Sequence, residues 1–194
     1  AMGSGTVFSI RFGQKDLPSL REGILASFAL LGIVTLALNA AVFLGADAII
    51  AALRTPAELV GLTRAYLLIV FSGMIAVFLY NFFASVLRAI GNSAAPLVFL
   101  AVSAVLNIAL DLWFVAGLGF GVEGAAAATV IAQYVSALGI AVYARVRCPA
   151  LFRRGQDARL RWSRVREIAG FSALTCLQQS IMNLGILAVQ GLVN

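Results

Sequence analysis

Five apolar stretches of about twenty or more residues, near 24–46, 65–86, 96–115, 125–144 and 168–192, constrain this chain more than any motif in it. A helix needs roughly 20 residues, at about 1.5 Å each, to cross a hydrocarbon core about 30 Å thick, and each stretch meets that length. A transmembrane barrel would show segments of about ten residues alternating in polarity, and none is found. The chain is 62% hydrophobic and 11% charged, with a mean hydropathy of +1.00, whereas soluble domains carry roughly 25% charged residues. The expectation is an all-α integral membrane protein: a polytopic helical bundle of about five full spans plus one partial span at residues 1 to about 10.

Polar segments separate the spans. F-G-Q-K-D-L-P-S-L-R-E-G (12–23) reads as a loop in which Pro18 restarts a helix. Asp47 and Arg54-Thr55-Pro56 mark a second loop, Arg88 to Ala95 a third, Gly117 to Gly124 a turn, and 145–167 a long basic segment. Alternate loops differ sharply in basic residues. One set carries Arg11, Lys15, Arg21, Arg88, Arg145, Arg147, Arg153, Arg154, Arg159, Arg161, Arg164 and Arg166, the other only Arg54 and Arg64. This bias places the first set in the cytoplasm and the glycine turn outside, in a plasma membrane expected to be a bacterial inner membrane. The net charge of +6 therefore reflects topology, and nucleic acid is not an expected partner. Segment 145–167 reads either as a patch for anionic lipid or as a topology-setting linker between two bundles, the linker being preferred. Its end, R-L-R-W-S-R-V-R-E, has the pattern of an interfacial segment with Trp162 at headgroup level. No signal peptide is evident, and both termini read as cut, as in a piece of a longer chain.

Asp111 is the one carboxylate inside the hairpin of spans 96–115 and 125–144. Burying it in hydrocarbon costs at least about 2.5 to 3.5 kcal/mol, which makes it a functional-site candidate. Taking Phe120 as the midpoint of the turn, Asp111 and Thr129 lie nine residues before and after, and Asn107 and Gln133 thirteen. Equal offsets predict equal depth, and the i, i+4 spacing puts each pair on one helix face. Gly124-Ala125-Ala126-Ala127-Ala128 would let the backbones approach and bring the pairs together. A carboxylate, two amide oxygens and a hydroxyl suit a hard cation such as Na+, while a desolvated carboxyl would instead carry a proton. The bland reading makes Asn107, Thr129 and Gln133 interhelical hydrogen bonders worth about 0.6 kcal/mol each, with Thr129 bonding its own i−4 carbonyl.

Asn39, Tyr80, Asn81, Gln178, Gln179 and Asn183 are also intramembrane, and each suits helix packing. Gln133, Tyr80, Asn81 and Gln178 are the candidates for a substrate cavity. Phe78, Tyr80, Phe82 and Phe83 would either line a cavity for flat cations, each gaining about 2 kcal/mol over a desolvated ring, or form a lipid-facing set, the commoner case. Gly119-x-Gly121-x-x-Gly124 matches a dinucleotide fingerprint, but it joins two spans and no acidic residue follows about twenty positions on, so it is rejected. Histidine is absent, and Cys148 and Cys176 form no C-x-x-C, so neither zinc nor a disulfide framework is indicated. A Ser-His-acid set and a phosphate-cradling G-K-[ST] loop are likewise missing, which argues against an enzyme and against any cofactor beyond a coupling ion.

R-A-I-G-N-S-A-A-P, N-I-A-L-D and G-V-E-G-A-A-A-A-T-V-I-A-Q, in this order, resemble the multidrug and toxic compound extrusion (MATE) family; R-F-G-Q-K-D and G-F-S-A-L-T-C-L-Q-Q fit as well. The resemblance implies part of a twelve-helix, two-lobe transporter. Residues 1–144 would be the N-terminal lobe from a partial second helix to the sixth, 145–167 a cytoplasmic inter-lobe linker, and 168–194 the first helix of the C-terminal lobe. It implies a secondary antiporter exporting amphipathic or cationic drugs in exchange for Na+ or H+, with Asp111, Asn107 and Thr129 as the cation or proton site. The family's first helix, with its key aspartate, is absent, and Gln178 and Gln179 stand where some branches have a carboxylate. The alternatives are a lipid-linked oligosaccharide flippase of the same superfamily and a non-transporting assembly or channel component.

Overall fold

The structure is a computed structural model that describes residues 2–53, 56–152 and 162–193. Its helices are α1 (Met2–Gly13), α2 (Leu17–Ala52), a 3-10 turn (Ala57–Leu59), α3 (Val60–Ser72), α4 (Met74–Ala89) and α5 (Ala94–Asp111). A π-helical segment (Leu112–Gly117) continues α5, and α6 (Gly121–Arg147), α7 (Pro149–Phe152) and α8 (Trp162–Val193) complete the chain. Among the described residues four helical runs are long and apolar enough to cross a membrane: Leu17–Ala52, Val60–Ala89, Ala94–Gly117 and Gly121–Arg147. The fifth expected span lies within α8, which is 32 residues long. Of the expected linker, 153–161 lies outside the described residues, as does the Trp162 side chain.

The helices are longer than the apolar blocks because polar flanks continue them. The expected loop at 12–23 narrows to Gln14–Asp16. There Lys15 adopts φ 57, the Asp16 carboxylate accepts the Ser19 N–H at 3.1 Å, and Pro18 sits in the first turn of α2. A side-chain acceptor at the cap and a proline that needs no donor both favour a helix start. Asp47, expected in a loop, lies inside α2 and pairs with Arg64 of α3 at 3.1 Å.

The second apolar block is broken at Gly73, between α3 and α4. The break is supported from neighbouring helices: Asn39 Nδ2 donates to Phe71 O at 2.7 Å, and Tyr134 Oη donates to Ser72 O at 2.9 Å. Backbone groups freed inside a membrane need such partners, since lipid offers none.

α6 is the central post, packing against α3, α4 and α5. Its buried face is small: Gly124, Ala126, Ala128, Ala132, Ser136 and Ala137. Close approach lets Ser103 Oγ donate to Ala132 O at 3.1 Å and Ser136 Oγ to Phe99 O at 2.9 Å, stapling α5 to α6. Large side chains gather toward the other end of α6. An aromatic series joins Phe28 to Phe82 (5.1 Å between centroids), Phe82 to Phe83 (5.4 Å) and Phe83 to Phe152 (5.8 Å). Phe82 and Phe83 are therefore core residues, 1% and 4% exposed, and not the lipid-facing set that was the commoner expectation. α8 packs on α1 and α2. The outer face of α5 stays apolar and open, with Leu97 67% and Val105 69% exposed, as a helix facing lipid requires.

Ala128 is fully buried on α6. Ala128→Leu should cost about 1–3 kcal/mol by overpacking. The expected result is a lowered melting temperature of the detergent-purified protein, with Val105→Leu on the open face of α5 unchanged.

Candidate functional site

α5 and α6 form the expected antiparallel hairpin in a different register. Asn107 Nδ2 donates to Thr129 Oγ1 at 3.2 Å, and Thr129 Oγ1 donates to Ala125 O at 3.0 Å. Asn107, not Asp111, is thus level with Thr129, and Gln133 falls beside the Ser103–Ala132 contact. The expected level pairs are corrected by one helical turn. Part of the shift comes from the π-helical segment and the turn after it, in which Leu118 N–H bonds Trp113 O at 2.9 Å and Phe120 N–H bonds Phe114 O at 3.0 Å. A wider turn advances less along the axis per residue, so α5 residues stand nearer the turn than α-geometry would put them.

The three glycines of the rejected dinucleotide-like spacing serve this turn. Gly119 (φ 70) and Gly121 (φ 57) take left-handed backbone that closes it. A Cβ on Gly124 would lie 2.8 Å from Phe120 Cβ and 3.2 Å from Phe114 Cβ.

Asp111 ends α5 where the π-segment begins. It is half-buried, and its Oδ1 is buried with no hydrogen-bond partner among the described residues. Leaving a buried acceptor without a donor costs about 1–3 kcal/mol, more for a charged one. Ser103, Asn107 and Asp111 recur every four residues on one face of α5, a polar file about 12 Å long by helical rise. The i−4 relation of Ser103 to Asn107 is the signal that points to this serine, which sequence reasoning passed over.

At the Ser103 end of the file, a cavity of about 300 Å³ is lined by residues that include Val77, Tyr80, Asn81, Ser103, Gln133 and Ser136. It unites Tyr80, Asn81 and Gln133 of the four expected cavity residues. Tyr80 Oη donates to Pro96 O at 2.8 Å and Asn81 Nδ2 donates to Val77 O at 2.8 Å, so both side chains also serve packing. The Asn81 carbonyl and the Gln133 amide retain capacity for a ligand. Gln178 is not brought to them: with Gln179 and Asn183 it is exposed on α8, which packs elsewhere. Gly73, Ser72 and Tyr134 were also missed, and the lone glycine inside an apolar block was their signal. The thiols are free, and burial pushes the Cys148 thiol up. Among the described residues no three His, Cys, Asp or Glu side chains cluster as a metal site.

A family model described as MatE matches residues 1–113. The chain belongs to the MATE family. The probable multidrug resistance protein YpnP of Bacillus subtilis is 35% identical over 133 residues, covering 69% of this chain and 30% of that protein. The probable multidrug resistance protein YoeA of the same organism is 33% identical over 151 residues, covering 75% of this chain and 32% of that protein. The chain thus spans about a third of the length of these MATE relatives. A crystal structure of MATE in complex with MaD3S matches the fold with a TM-score of 0.86 at 23% identity, over 96% of this chain and 42% of that one. The protein is a multi-pass membrane protein with a MATE fold.

Within this MATE chain, Gly73 is where a side chain would disturb the cavity most directly: its Cβ would lie 2.6 Å from Gln133 Oε1 and 3.1 Å from Val130 Cγ2. Gly73→Ala is expected to lower the melting temperature, and Gly73→Ala/Gln133→Ala to recover part of the loss. A double-mutant cycle on the purified protein measures that coupling.

Proposed function

We propose that the chain supplies the N-terminal lobe, the linker at 145–167 and the first helix of the second lobe of a secondary antiporter. It exports amphipathic, chiefly cationic compounds in exchange for Na+ or H+ by alternating access. The observation that carries this reading is the buried, unbonded Asp111 Oδ1 at one end of a polar file whose other end opens on the cavity at Gln133. An incoming Na+ or proton would satisfy that oxygen. Asn107 would add its amide carbonyl, and Thr129, which already donates to Ala125 O and accepts from Asn107, would hold Asn107 in place.

Coupling follows from charge economy. Asp111 is the carboxylate on the file, and in a low-dielectric site its charge acts over the whole 12 Å or so of it. A cationic compound in the cavity is favoured while Asp111 is ionised and disfavoured once a coupling cation neutralises it. Relatives described as multidrug resistance proteins support export of such compounds. The basic ends of α1, α2, α4 and α6 support a cytoplasmic placement of that side in a bacterial inner membrane. At the opposite end Arg64 is already paired with Asp47, which widens the asymmetry.

The test uses the protein at its full natural length in vesicles loaded with a fluorescent cationic substrate. Asp111→Asn is expected to reduce gradient-driven efflux at least about tenfold, a transition-state loss near 1.4 kcal/mol. Imposing a Na+ gradient or a pH gradient separately identifies the coupling ion. Undiminished efflux under both would overturn the proposal.

A further inference from the structure

A second cavity, of about 450 Å³, lies at the other end of α6, lined by residues that include Arg21, Phe28, Phe82, Phe83, Arg145 and Phe152. Arg145 is sixteen residues from Thr129 along α6, about 24 Å by helical rise, so this cavity is separate from the Asp111 file. Its lining combines four phenylalanines with two guanidinium groups, and none of its lining residues is acidic. Arg21 uses Nε to donate to Ala150 O at 2.7 Å, which fixes the guanidinium and leaves its terminal amino groups for another acceptor. Among the described residues no acid pairs with Arg145.

We propose that this cavity binds an anionic phospholipid, its phosphate held by Arg21 and Arg145 and the start of its acyl chains laid on the phenylalanines. Arg21 is the fifth residue of α2 and Arg145 lies two residues before the end of α6, so both sit at the ends of spans, where headgroups lie. Planar guanidinium groups match phosphate oxygens in bidentate fashion. A cationic compound meets two like charges here. A small anion would leave the aromatic floor wet, whereas a lipid fills both the polar and the apolar part. The lipid would bridge α2 and α6 to α7, at the corner where the basic segment begins. The charge that selects it belongs to these two arginines and not to the basic run 145–167 as a whole.

The experiment takes the protein at full natural length, purified in detergent, incubated with phosphatidylglycerol or with phosphatidylcholine of the same acyl chains, and counts retained lipid by native mass spectrometry. Phosphatidylglycerol should be retained in preference. Arg21→Gln/Arg145→Gln should lower its retention at least about tenfold. Arg21→Lys/Arg145→Lys should keep part of it, and Arg147→Gln, outside the cavity lining, should keep all of it. Asp111→Asn should also keep it, so failure of the antiport reading leaves this one standing. In the unmodified protein, a photoactivatable phosphatidylglycerol should crosslink to peptides bearing Phe28, Phe82 or Phe152. Equal retention of the two lipids, undiminished retention in the glutamine pair, displacement by millimolar inorganic phosphate, or crosslinking confined to other peptides would each overturn the proposal.

Discussion

Close backbone approach along α6 is the contact on which the rest of the bundle depends. Lipid tails are as apolar as leucine, so helices in a bilayer gain little by hiding leucines from them; association rests on dispersion contacts and interhelical hydrogen bonds, both of which need short distances. α6 provides those distances by turning glycine, alanine and serine toward three neighbours. Only at such separations can the hydroxyls of Ser103 and Ser136 reach carbonyls across the α5–α6 seam. The larger side chains are left to the outside, as on α5, or to the aromatic cluster around Phe82.

The irregularities follow from the same economy. Regular helices satisfy their own backbone, so each departure exposes groups that some side chain must meet. At the Gly73 break, Asn39 and Tyr134 reach in from α2 and α6. At the turn between α5 and α6, the π-segment satisfies its own carbonyls through wider rings and sets Asp111 at its edge. The polar cavity beside Gly73 and the Asp111 carboxylate beside the π-segment sit where the helices are least regular, in keeping with the tendency of π-bulges to mark functional positions.

Much of this was legible in the residues. Block length and hydropathy pointed to the spans, and Pro18 and the glycine turn to two of the connections. Asp111 stood out because a carboxylate in hydrocarbon is costly. Legibility ended where three-dimensional accommodation begins. Apolar composition cannot separate Phe82, which is buried, from Val105, which faces outward, because a membrane helix is apolar on both sides. Depth was counted from Phe120 at α-helical rise on both sides, and the π-segment together with the turn after it makes that count unequal, so Thr129 was matched with Asp111 and not with Asn107. Serines 103 and 136 escaped notice because a hydroxyl in a membrane helix usually bonds its own chain; what these two bond is set by how near the next helix stands.

The π-segment also holds a residue in reserve. It accommodates one more residue than α-geometry would over the same axial distance, so converting it to α-helix would turn everything on its α5 side by about 100° and move it about 1.5 Å along the axis. Asp111, the last residue of α5, would turn with that helix to face a different direction relative to α6, with no change in sequence and no helix unfolded. The turn of the hairpin is thus a screw thread as well as a connection, and the direction in which Asp111 faces is set by how that thread is wound.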